Sequence, residues 1–73
     1  MKVVFCERIE DLATVFKVEG KPPELRDAVI IDGKVYPLVP VFVRDLDALA
    51  IRVGLDLENK DVEFMYEGER VTA

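Results

Sequence analysis

Hydrophobic and polar positions change their period several times along this chain, and each period predicts an element. Val3-Val4-Phe5-Cys6 is short, β-branched and apolar, which predicts a buried strand over residues 2–7 with Cys6 as a small core thiol. In residues 8–19, Ile9, Leu12, Ala13 and Phe16 recur at helical spacing, with Glu10 and Asp11 early and Lys17 late, the order the helix dipole favours. That spacing predicts a helix, against the strand propensity of Thr14-Val15-Phe16-Lys17-Val18. Gly20 suits the position after such a helix, and Pro22-Pro23 ends whatever precedes it.

The clearest local signal is Asp32-Gly33 between Ala28-Val29-Ile30-Ile31 and Lys34-Val35-Tyr36. It reads as a two-residue hairpin turn, with Ile31 opposite Lys34, Ile30 opposite Val35 and Val29 opposite Tyr36. The second strand continues toward Val43, but Pro37 and Pro40 confine it to an edge or bend it after Tyr36. From Arg44 to Val53, Leu46, Leu49, Ala50 and Val53 form an amphipathic stripe. Asp45 is placed to cap a helix there and Gly54 to end it in the αL conformation. Val62, Phe64 and Tyr66 then alternate with Glu63 and Met65, as in a half-exposed antiparallel strand, and Arg70-Val71-Thr72 follows as a short return strand.

The order is therefore β-α-β-β-α-β in one domain, residues 1–73, and the simplest arrangement is α+β: an antiparallel sheet with two helices on one face, ferredoxin-like in topology. A strand in place of the first helix shifts the expectation toward a β-grasp or a partly open barrel. Residues 33–71 resemble a ubiquitin-like β-grasp: Gly33-Lys34 turns a hairpin, an Asp-started helix ends at Gly54, and Val62-Glu63-Phe64-Met65-Tyr66-Glu67-Gly68 matches that family's late strand and turn. The resemblance covers about half the chain, which ends in Val71-Thr72-Ala73 without the glycine pair of conjugated members.

Composition narrows the chemistry. Ser, His, Gln and Trp are absent from all 73 residues. Without His or Ser there is no imidazole base, no serine nucleophile and no histidine metal ligand. The single Cys6 can form neither a Cys-His pair nor an internal disulfide. The four glycines fit neither a dinucleotide fingerprint nor a phosphate-binding loop. Asp56, Glu58 and Asp61 offer oxygen ligands but lack the glycine and terminal glutamate of a calcium loop, so no metal or other cofactor is expected. Scarce thermolabile residues beside abundant charge fit a thermophilic source.

Charge adds a second surface. The net charge is −5, and six acids (Asp56, Glu58, Asp61, Glu63, Glu67, Glu69) face only Lys60 between residues 56 and 69. Such a balance argues against nucleic-acid binding. The longest uncharged run, Val35–Val43, has nine residues, too few to cross a membrane. The early charges Glu7, Arg8, Glu10 and Asp11 argue against a signal peptide. The expected location is the cytoplasm.

On a regular strand, Val35, Val39, Val41 and Val43 share one face, and Tyr36, Leu38 and Phe42 the other. An apolar strand on both faces wants a second cover. The expected function is therefore a small non-catalytic binding or regulatory module, acting as a homodimer or clamped to a protein partner. Its candidate contact residues are Val35, Tyr36, Val39, Val41, Val43 and Tyr66. One alternative is an acidic nucleic-acid mimic that inhibits a basic enzyme through the six acids. Another is a small-ligand or enzyme domain assembled at a dimer cleft, with Cys6 or an acid as the reactive group.

Overall fold

The hairpin predicted at Asp32-Gly33 forms in the expected register: Ile31 pairs with Lys34, Ile30 with Val35 and Val29 with Tyr36. Asp32 and Gly33 hold φ at 52° and 80°, the positive values that let a two-residue turn match the twist of its strands. The computed structural model describes residues 1–41 and 47–66. Its elements are β1 (Val3–Ile9), β2 (Ala13–Val18), β3 (Ala28–Ile31), β4 (Lys34–Pro37), β5 (Leu49–Ile51) and β6 (Glu63–Met65).

No helix occurs among the described residues, which corrects the predicted α+β fold: the described chain is all-β. The ferredoxin-like order and the β-grasp alternative both fall, because each needs a helix packed on the sheet. Residues 8–19 fold back on themselves instead. The Leu12 N–H donates to the Ile9 carbonyl at 3.0 Å, and β2 returns antiparallel along β1. Burial along β2 has period two, with Thr14, Phe16 and Val18 buried between half-buried neighbours. The helical spacing of Ile9 and Leu12 fails because a turn separates them, and both side chains are exposed.

The second predicted helix likewise contains a strand and no helix where it is described. Leu49, Ala50 and Ile51 form β5, all three buried. β2 lies along one edge of β5, while Leu38 and Val39 lie along the other. A strand covered on all sides shows no alternation, so its apolar run mimics a helix stripe. Gly54 is not among the glycines with positive φ, so it caps no helix in the αL conformation. Val43, Asp45, Leu46 and the predicted return strand Arg70–Thr72 lie outside the described residues. β1, predicted as buried, is fully buried only at Val3.

The strands form two three-stranded antiparallel sheets, ordered β1-β2-β5 and β4-β3-β6. The sheets join at two corners. β4 ends at Pro37; Leu38 then bridges to Ile51, and the Val39 N–H donates to the Ala50 carbonyl at 3.0 Å. At the other corner Lys2 bridges to Asp61, the Val3 N–H donates to the Lys60 carbonyl at 2.8 Å, and the Val62 N–H donates to the Met1 carbonyl at 2.7 Å. Neighbours thus follow a ring, β1-β2-β5-β4-β3-β6, in which the two sheets meet only at these corners. Val3, Phe16, Val29, Ile51, Leu57 and Val62 fill the space between the sheets. After Pro37 the strand does not continue through the described residues up to Val41.

Candidate docking face on the β1–β2 hairpin

Among the described residues the longest stretch of unpaired edge outside these corners lies on β1. The residues after Val3 separate from the corner formed by residues 60–62, at a register shift between Val3 and Phe5 that leaves Val4 unpaired. From Phe5 to Ile9, β1 pairs only with β2 among the described residues. The pleat alternates its side chains. Cys6 packs against the core and, with Arg8, stands opposite buried Phe16 and Thr14. Phe5, Glu7 and Ile9 therefore share the outward face, opposite Lys17, Val15 and Ala13.

Along that face and at its two ends, large apolar side chains are exposed beside Glu7 and Lys17. Val4 is 59% exposed, Phe5 49%, Ile9 47% and, at the turn, Leu12 69%. Four of the exposed large apolar side chains thus fall within nine consecutive residues. The turn that carries Leu12 is tied by local contacts. Glu10 has φ 50°, a left-handed conformation unfavourable for a residue with a β-carbon. The Arg8 side chain braces it: Nε donates to the Glu10 carbonyl at 2.9 Å, and Nη2 donates to Asp11 Oδ1 at 2.6 Å. Gly54 lies directly beneath. A β-carbon there would overlap the Glu10 carbonyl oxygen and stand 2.8 Å from Arg8 Nε and 2.9 Å from Asp11 Cα.

The contact residues predicted from sequence are distributed differently. Val35 is exposed on β4, and Tyr36 is half-buried against the core. Val39 and Val41 are half-buried and line an open hollow of about 400 Å³ with Arg26, Leu38 and Leu49. Tyr36 and Val39 also border a smaller apolar hollow with Pro37, Arg52 and Val53. Tyr66 is exposed just beyond β6. Sequence reasoning placed Phe5 in a buried strand and Ile9 and Leu12 on a helix. The available signal was the alternation Phe5-Glu7-Ile9, which continues the strand past Cys6.

Of the six predicted acids, Asp56, Glu58, Asp61 and Glu63 are exposed, while Glu67 and Glu69 lie outside the described residues. Asp56 Oδ1 accepts the Glu58 N–H at 3.2 Å. Asp61 and Glu63 border a shallow hollow with Asp32. Cations offset part of this charge. The Met1 ammonium stands 2.9 Å from Asp61 Oδ1, and its hydrogen bond and charge lower the Asp61 pKa. Lys60 Nζ donates to Asp32 Oδ2 at 2.8 Å, a hydrogen bond and ion pair that raise the Lys60 pKa.

Cys6 is half-buried, with Sγ 3.7 Å from the Leu55 carbonyl. Among the described residues no group of three or more His, Cys, Asp or Glu side chains is placed to hold a metal ion. No helix among them is long and apolar enough to cross a membrane. No family model matches the chain, and comparison with curated proteins and with solved structures finds no match.

Proposed function

We propose that this protein is a non-catalytic binding module that docks a protein partner on the outward face of the β1–β2 hairpin. The observation that carries the reading is the concentration of exposed apolar side chains (Val4, Phe5, Ile9, Leu12) on a hairpin whose outer edge is unpaired among the described residues. Such clusters, rimmed by charge, mark contact surfaces more often than scattered apolar residues do. Bracing supports the same reading, since a surface held in one conformation loses less entropy when it binds. The absence of Ser and His from the sequence adds weight to binding over catalysis.

The test compares four full-length proteins: wild type, Phe5→Ser, Leu12→Ser and, as a control on the other sheet, Val35→Ser. All three changes replace exposed side chains, so each is expected to shift stability by no more than about 0.5 kcal/mol. Used as bait in extract from the source cells, wild type and Val35→Ser should retain the same proteins, and the two hairpin variants should lose them. Equal retention by all four removes the reading.

A further inference from the structure

We infer that the partner presents an extended strand with a basic residue at its centre and an apolar residue two positions to either side, and that this strand pairs antiparallel with Phe5–Ile9. The inference rests on the docking face just proposed and names what that face accepts. Among the described residues the free edge is five residues long, because residues 60–62 occupy the β1 flank at Met1–Val3. An added strand that fills it is centred on Glu7. Side chains directly opposite each other on one face of an antiparallel pair lie close enough to interact. The incoming residues opposite Phe5 and Ile9 therefore meet apolar surface, and the one opposite Glu7 meets a carboxylate.

Nothing on β1 neutralises that carboxylate. The Glu7 side chain is exposed and makes no ion pair or side-chain hydrogen bond among the described residues, and Arg8, its neighbour, is occupied by Asp11 and the Glu10 carbonyl. The same geometry decides against a second copy of this chain. A two-fold axis through the middle of the free edge sets Phe5 against Ile9 of the other copy favourably. It also sets Glu7 against Glu7, a like-charge pair that opposes the ladder. Charge on an edge strand is a common means of preventing self-pairing. Here it leaves the edge open to a strand of opposite charge.

The experiment follows the backbone amides of full-length, ¹⁵N-labelled protein during titration with two blocked peptides, Thr-Val-Thr-Lys-Thr-Val-Thr and the same peptide with Glu at the centre. The expected result is that the Phe5–Ile9 amides shift with both and that the Lys-centred peptide binds about tenfold more tightly. Glu7→Lys should reverse the ranking. Wild type and Glu7→Lys should each be monomeric alone and associate when mixed. If Phe5→Ser abolishes binding but Glu7→Lys leaves the ranking unchanged, the basic-centred partner is wrong and the docking face stands. If the peptides shift no β1 amides, or Phe5→Ser binds as wild type does, both readings fall. Self-association of wild type through the β1 amides would identify a second copy as the occupant and overturn the inference.

Discussion

Among the described residues Thr14 is the one polar residue that is fully buried, and its hydroxyl ties β2 to the chain beyond β5. Its Oγ1 donates to the Val53 carbonyl at 2.6 Å and accepts the Leu55 N–H at 2.9 Å. Thr14→Val keeps the shape and removes both bonds. A buried donor or acceptor left without a partner costs about 1–3 kcal/mol, so this variant should lose at least that much by urea denaturation, with an unchanged slope. The strand propensity of Thr14 is legible in the sequence. Its partners are not, since they lie 39 and 41 residues away and are backbone groups that any residue supplies.

At the level of elements, two glycines illustrate different reasons for the same residue. Gly33 holds φ at 80° with nothing within 4 Å of an added β-carbon, so Gly33→Ala should cost only the left-handed conformational penalty, about 1–2 kcal/mol. Gly54 has no such φ, but the hairpin turn at Glu10–Asp11 rests on it. Gly54→Ala should cost about 1–3 kcal/mol through overpacking. It should also speed hydrogen exchange at the Leu12 amide, whose bond to the Ile9 carbonyl closes the turn; unchanged exchange there would mean that the contact is not what holds the hairpin down. The first glycine was readable from its neighbours, because Asp-Gly between apolar runs specifies a local turn. The second was read as a helix cap, because a contact between residues 10 and 54 leaves no local mark. The two predicted helices failed for a related reason. A stripe at helical spacing is equally produced by a turn between strands, as at Glu10–Leu12, or by a strand buried on every side, as at Leu49–Ile51.

For the whole molecule, the ring of strands depends on its two corners, and one of them carries charge. At the Lys2–Asp61 bridge, the Met1 ammonium holds the Asp61 carboxylate and lowers its pKa below the usual value of 3.8. A depressed folded-state pKa contributes stability that is complete above the unfolded value and is lost as pH falls through the folded one. Asp61→Asn should therefore lower the urea midpoint slightly at about pH 6, and the difference from wild type should vanish as the pH drops well below the ordinary carboxylate range. The pair is exposed, so added salt should shrink the effect as well. A difference that persists unchanged at low pH would remove Asp61 from any part in closing the ring.

The sequence by itself determined the β3–β4 hairpin and its register, the start of β1, the half-exposed β6 and the list of absent chemistries. Each of these depends on residue type or on spacing within a few positions. Tertiary structure decided the rest: that β2 and β5 are strands, that Leu38 and Val39 close one corner and Lys2 and Asp61 the other, and that the exposed apolar face lies on the β1–β2 hairpin. The reason is physical. A strand has no hydrogen bonds of its own, so whether a segment is a strand, and which of its faces meets water, depends on which distant segments complete its ladder.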